Sequence, residues 1–244
     1  MNTVAGRKVV VTGGTRGIGL VTVAEFAKAG ARVTYTGTTD ASIAQARAQL
    51  GAITAQGVAC DLRDTAGMHA ILADGCEILI NNAAIAEPNG PLHAVADADL
   101  RRMLDVTLFG ALQWARHAAA GMLERGGGTI INVSSGAAHR AIPNMGPYNI
   151  AKAGLFMATQ VLHEELKDHG ILVLAFSPGV VDTDMQTAAR ESGLFKGVLP
   201  SDRSELRSPD EPARAMRWLC EHGGAEFGGR DIPIADEALN GAFA

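Results

Sequence analysis

Three cysteines, Cys60, Cys76 and Cys220, are all that the 244 residues carry. The number is odd, no CxxC spacing occurs, and none stands at ligand spacing from a histidine. A disulfide framework and a structural zinc site are disfavoured, and the thiols read as free groups of a reducing compartment, so a cytoplasmic location is expected. Basic charge is short as well. Lys and Arg number 21 against 26 Asp and Glu, a net charge of −5, which leaves no electrostatic footprint for nucleic acid. No apolar run nears the ~18 residues of a membrane span, and no charged segment followed by an apolar core opens the chain, so no membrane partner is expected. His69, His93, His117, His139, His163, His169 and His222 lack metal-ligand spacing with carboxylates, so no metal is expected and they read as surface groups. His139 is the exception, because the loop between Ser135 and Tyr148 would line a substrate cleft. Repeats and low-complexity tracts are absent too. What is present is an enzyme-sized chain, 47% hydrophobic, able to bury a substantial core.

Short β-branched runs alternate with segments of helical period along the whole chain. Strands are expected at Lys8–Thr12, Arg32–Thr36, Val58–Asp61, Ile78–Asn81, Thr129–Ser134 and Leu172–Ser177, with a seventh near Gly229–Pro233. Helices are expected at Gly17–Ala29, Ser42–Leu50, Thr65–Ala73, Ala98–Glu124, Tyr148–His169 and Pro209–Cys220. Runs such as "TIINVSS" and "ILVLAFS" are apolar on both faces, as strands of a parallel sheet covered on both sides must be. Strand–helix alternation without a linker predicts a single α/β domain over 1–244, a doubly wound parallel sheet with helices on both faces. The polar stretch Asp184–Ser208, broken by Gly193, Gly197 and Pro200, reads as a mobile segment on the substrate side.

At the junction of the first strand and first helix stands "TGGTRGIG", with Gly13, Gly17 and Gly19 in close order. Glycine allows positive φ and lets a ligand approach the backbone. Amides at a helix N-terminus, at its positive dipole end, suit a pyrophosphate. The competing reading is a tight turn whose glycines serve helix–sheet packing alone. Further on, "INVSSGAAHRAIPNMGPYNIAKAGL" places Tyr148 and Lys152 four residues apart, on one face of a helix start. Ser135 closes a strand thirteen residues before the tyrosine. Ligands of open α/β sheets lie outside the carboxyl ends of strands, where both Ser135 and the glycine turn fall.

Carbonyl reduction needs hydride at carbon and a proton at oxygen. A free phenol titrates near ~10, too high for efficient exchange at neutral pH, and a lysine cation beside it, with an oxidised nicotinamide, would lower that value. A serine hydroxyl can hold the carbonyl oxygen. The alternative is an amphipathic surface pair, Tyr148 and Lys152, with Ser135 merely ending its strand. The second strand ends in "TYTGTTD", with Thr36 and Thr38 where an NAD-binding protein carries an acid, and Arg16 in the glycine turn supplies a cation. NADP(H) is therefore the expected cofactor, although Arg16 could be a solvated loop charge and Asp40 lies close by.

"TGGTRGIG", with the serine, tyrosine and lysine, resembles the short-chain dehydrogenase/reductase family. The resemblance implies a Rossmann-like fold and covers most of the chain. Within the turn it implies cofactor contacts from Gly13, Thr15, Arg16, Gly17, Ile18 and Gly19. "NNAA" at 81–84 stands for the family's NNAG, bringing Asn82 and Ala83 to the cofactor, with Ala84 in place of glycine. Asp61 and Leu62 match the position that contacts adenine in relatives. "SPGVVDT" resembles the PGxxxT segment, implying contacts from Pro178, Gly179, Val181 and Thr183, the last at the nicotinamide carboxamide. Tyr148 and Lys152 would also touch the cofactor. "VVDTDMQTAAR" with "LRSPDEPA" is similar to the bacterial sepiapterin/benzil-reductase-like branch.

Two departures stand out. The family's catalytic asparagine, which in relatives sits in a helix distortion and supports a water relay to the lysine, falls at Thr107 in "LDVTLFGA", and the C-terminal DGG segment is replaced by "FGGRDIPIADEALNGAFA". Thr107 either holds the relay water with its hydroxyl or bonds back to its own helix. Asp231 and Asp236 could reach a polar substrate but read as solvent-facing tail residues, and Met145 and Met185 read as adaptable cleft wall, unless Met185 packs under the Asp184–Ser208 segment. The expected activity is NADPH-dependent reduction of a ketone or aldehyde. The alternatives are an NAD-dependent alcohol dehydrogenase working oxidatively and a non-enzymatic NADP-binding sensor. Leu100, Leu104, Leu108, Ala111 and Ala115 form an apolar side of one long helix, and relatives pair this helix and the Tyr148 helix across a two-fold axis, which implies a homodimer or homotetramer; the alternative is that the stripe simply covers the sheet.

Overall fold

A computed structural model of the chain describes residues 3–191 and 202–242. Seven parallel strands form one sheet in the order β3-β2-β1-β4-β5-β6-β7: β1 Lys8–Thr12, β2 Arg32–Gly37, β3 Gln56–Ala59, β4 Ile78–Asn81, β5 Gly128–Val133, β6 Ile171–Ser177 and β7 Asp231–Pro233. The helices are α1 Gly17–Lys28, α2 Asp40–Leu50, α3 Thr65–Ala73, α4 Asp97–Leu104, α5 Ala111–Arg125, α6 Gly146–Leu166, α7 Asp184–Glu191 and α8 Asp210–His222. This is the doubly wound Rossmann-like domain the strand–helix alternation predicts. Strand order reverses between β1 and β4, which opens a crevice beyond their carboxyl ends.

Side-chain alternation divides the core in two. Val9, Val11, Ile78, Ile80, Ile131, Val133, Leu174 and Phe176 meet Val23 and Phe26 of α1 and Met216 and Leu219 of α8 on one face. Val10, Leu79, Ile130 and Val173 meet Met68 of α3, Trp114, Ala118 and Met122 of α5, and Leu162 of α6 on the other. Each fully buried aliphatic side chain contributes roughly 1.5–3 kcal/mol by leaving water. Polar side chains also enter the second face, in a chain: Asn81 Nδ2 donates to Asn132 Oδ1 (2.9 Å), and Asn132 Nδ2 donates to Thr159 Oγ1 of α6 (2.9 Å).

Several boundaries differ from expectation. The third strand lies at Gln56–Ala59, shifted towards the N-terminus from Val58–Asp61, because Asp61 turns out of the sheet to engage Arg63. The helix over Ala98–Glu124 is instead α4 and α5 joined by a π-helical segment, Asp105–Gly110. Within Asp184–Ser208, Asp184–Glu191 is helix α7 and Arg203–Glu205 a 3-10 turn. Residues 192–201 of that segment, Gly193, Gly197 and Pro200 among them, lie outside the described residues.

Candidate active site

The glycine turn is built by close approach of protein to protein. Gly13 has φ +65, and a Cβ there would stand 2.8 Å from the Ala83 Cα; one at Gly19 would stand 2.2 Å from the Gly13 carbonyl oxygen. Packing alone therefore accounts for these two glycines. Asn82 braces the turn, its Nδ2 donating to the carbonyls of Thr12 (3.1 Å) and Gly13 (3.0 Å). Buried Thr12 accepts from the amides of Asn82 and Ala83. Thr36 is buried, and its hydroxyl accepts from the Gly13 amide at 3.3 Å, so it supports the turn from beneath; Thr38 is exposed at the strand end. Gly17, at φ +53, faces Thr183, whose methyl would lie 3.2 Å from an added Cβ. The α1 N-terminus has no side-chain cap, and no acid stands in its first turn. Amide donors left this way at a helix start fit the pyrophosphate of a dinucleotide. Thr15 and Ile18 flank that start, and Arg16, largely exposed, reaches Asp184 at 3.8 Å.

Further along the same edge, Asp61 turns both carboxylate oxygens to the Arg63 guanidinium (2.8 and 2.9 Å), and that hydrogen bonding holds it down at about 2. The Leu62 side chain goes into the core instead, beneath Gly110. Buried Pro178 and exposed Gly179, the glycine at φ +75, turn the chain after β6, and Val181 bridges to Arg207. Thr183 Oγ1 accepts from the Gln186 amide at 3.4 Å, as a helix cap does.

Ser135 leaves the end of β5 and opens a 3-10 turn, its Oγ accepting from the Ala137 amide at 3.2 Å. Pro147 at the start of α6 places Tyr148 and Lys152 on the first turns of that helix, and both side chains are buried. Asn149, unremarked in the sequence, pins the intervening loop: its Nδ2 donates to the carbonyls of Ala137 and Arg140, both at 2.6 Å. Ser135, Tyr148 and Lys152 converge. The serine hydroxyl bonds the phenol, and Lys152 Nζ lies 5.6 Å from the centroid of the tyrosine ring and donates to the Val133 carbonyl at 2.6 Å.

Burial dominates the proton affinities. It pushes the Tyr148 phenol up to about 12, with the Ser135 hydrogen bond acting the other way. It pulls Lys152 down to about 8, opposed by the charge of Asp231. The expected lowering of the phenol by Lys152 is not found in the protein alone, where the cost of burying a phenolate outweighs the Ser135 hydrogen bond, the influence that acts the other way.

Thr107 sits in the π-helical segment, fully buried, and of its two expected contacts the bond back to its own helix is not made. Its Oγ1 accepts from the Ile85 amide (3.3 Å) and donates to Met103 Sδ (3.4 Å), with no hydrogen bond to a carbonyl of its helix. Asp231 also differs from expectation: its side chain is 4% exposed, with Ser134, Ser177 and His139 gathered on one oxygen. Its place in the sheet beside β6 excludes the solvent that a tail acid would meet. Asp236 is largely covered too, within 3.4 Å of Arg230. His139 is half-exposed and packs edge-on against Phe156. Met145 packs beside Tyr148 and Met103, whereas Met185 is exposed on α7. Among the described residues no group of three or more His, Cys, Asp or Glu could hold a metal, and no helix is long and apolar enough to cross a membrane.

With this geometry in view, comparison with known proteins is specific. The family model described as short chain dehydrogenase matches residues 7–193. A galactitol 2-dehydrogenase from Rhizobium johnstonii is 33% identical over 227 residues, 88% of each chain. A putative NAD(P)-dependent gluconate 5-dehydrogenase from Beutenbergia cavernae, solved with NADP, superposes with a TM-score of 0.85 at 27% identity, covering 95% of this chain and 96% of that one. A 3-ketoacyl-(acyl-carrier-protein) reductase from Brucella melitensis, solved with NADH, gives 0.83 at 27% identity, covering 94% and 97%.

Proposed function

The chain belongs to the short-chain dehydrogenase family, an oxidoreductase family served by a nicotinamide cofactor, and from that premise we propose that it reduces a ketone or aldehyde to an alcohol with NADPH. The observation that carries the reading is the convergence of Ser135 with the buried Tyr148 and Lys152, at the same carboxyl end of the parallel sheet as the uncapped start of α1. The α1 amides and the glycine turn would hold the pyrophosphate, Arg16 the 2′-phosphate, and Thr183 the carboxamide. The bound dinucleotide supplies hydride for the carbonyl carbon. Ser135 fixes the carbonyl oxygen, and Tyr148, protonated throughout the neutral range, gives it the proton. Lys152 lies close enough to steady the phenolate left behind and is tied in place by the Val133 carbonyl. The named relatives include both dehydrogenases and a reductase. Reduction is favoured here because a neutral, buried phenol is a proton donor before it is a base.

Tyr148→Phe removes the proton and little else. NADPH binding should persist while turnover with any accepted ketone falls roughly 10²–10⁴-fold, the range for loss of a general acid. Single-turnover oxidation of NADPH across diketones, ketoesters, pterins and quinones would establish both substrate class and loss; near-parental turnover in the variant refutes the assignment. Exposed apolar side chains on α6 further support self-association of the chain.

A further inference from the structure

A buried carboxylate beside the proposed site has no part in the reaction above. The register pairs Asn132 with Ala175 and Ala175 with Asp231, so Asn132, Ser134, Ser177 and Asp231 rise on one face of the sheet. It is the face on which Asn132 reaches Thr159 of α6, two turns beyond Lys152. Lys152 is bonded to the carbonyl of Val133, next to Ser134. Asp231 Oδ2 accepts from Ser134 Oγ (2.7 Å), Ser177 Oγ (3.0 Å) and His139 Nε2 (2.7 Å). Its Oδ1 is buried with no hydrogen-bond donor from the described residues. A carboxylate satisfied on one oxygen and stripped of water on the other is an exposed charge within the protein, and its field reaches farther there than in solvent.

The neighbours give that field a direction. From α6 come Lys152, and His163 lying under Gly228 and Gly229. From β5 and β6 come only the hydroxyls of Ser134 and Ser177. From the loop after β5 comes His139, followed by Arg140. On its own segment, Arg230 is turned away to the Glu226 carbonyl and Asp236. His139 is the single member of this set that pairs directly with Asp231 and also meets solvent, its ring 4.8 Å from that of Phe156.

We propose that Asp231 is a positioning residue for Lys152, a buried counter-charge that holds the ammonium in the site, and that His139, its solvent-facing partner, is the position from which that counter-charge can be offset. This rests on the reading of Lys152 as part of the active site, and the test separates the two.

The pH dependence of NADPH binding, followed by fluorescence without substrate, reports the Lys152 charge apart from turnover. Asp231→Asn should move the high-pH loss of binding downward by about one unit, a tenfold change in proton affinity. Asp231→Glu should restore it. His139→Lys, a permanent cation on a half-exposed loop, should move it down in the same way, while His139→Gln should leave it at or above the parental pH. If Asp231→Asn does not fold, the contrast between lysine and glutamine at 139 decides. An unmoved profile in His139→Lys, and in folded Asp231→Asn, overturns the proposal. Turnover in Tyr148→Phe is the separate control: persisting activity there removes the catalytic reading, whereas the binding profile still judges the link between Asp231 and Lys152.

Discussion

On the proposed reading, one side chain, Arg16, would set cofactor choice. Its guanidinium is mostly exposed and lies 3.8 Å from the equally exposed Asp184 carboxylate. A surface pair of this kind is worth at most about 1 kcal/mol, whereas a charge-assisted hydrogen bond to a phosphate contributes roughly 1.5–3 kcal/mol. A 2′-phosphate would therefore win Arg16 from Asp184. Arg16→Ala should cut kcat/KM for NADPH about tenfold and leave that for NADH unchanged, since about 1.4 kcal/mol is a factor of ten. An unaltered ratio of the two would exclude Arg16 from the 2′ position. The role of Thr36 was not legible, because a threonine at a strand end reads as a ligand contact when nothing shows that the Gly13 amide has claimed it. Asp231 was opaque for a related reason. Its donors lie 97, 92 and 54 residues away, so its chain neighbours show only an acid near a tail.

At the scale of elements, the strands were largely legible, since β-branched runs buried on both faces carry their own signature. The break between α4 and α5 was legible only through the resemblance, since relatives distort the helix where Thr107 falls, and not in the residues themselves. A π-helical segment differs from α-helix by one shifted hydrogen bond per turn, and "LDVTLFGA" continues the apolar period across it. Thr107 explains how the segment is held to the rest of the site: it gives the Ile85 amide, on the loop after β4, its acceptor. Thr107→Val keeps the shape and strands that amide, so urea unfolding should show a loss of roughly 1–3 kcal/mol, the cost of an unpaired buried donor. Thr107→Ser should recover most of it. Parental stability in the valine variant would mean that the hydroxyl ties nothing.

For the whole molecule, the apolar side expected to join protomers faces elsewhere. Ala111 and Ala115 are buried in the core, and Leu104 and Leu108 pack on the cluster around Tyr148 and Met103. Among the described residues the exposed large apolar side chains are Ile150, Met157 and Val161 on α6, with Leu92, Phe109, Leu123 and Met185 on other segments. Spacings of seven and four put the α6 three on one helical face. Such a face fits a second copy of the chain, so light scattering at micromolar concentration should give a multiple of the chain mass, and Val161→Asp should return the monomer. A monomeric parent would dismiss the pairing. The sheet has a further consequence, in time rather than space. β7 follows the other six strands of the sheet in chain order and brings Asp231 against β6. A nascent chain emerging from the ribosome would already hold Ser135, Tyr148 and Lys152, yet lack the charge beside the lysine. On the proposed role of Asp231, the enzyme would complete its fold and switch on with the same few residues.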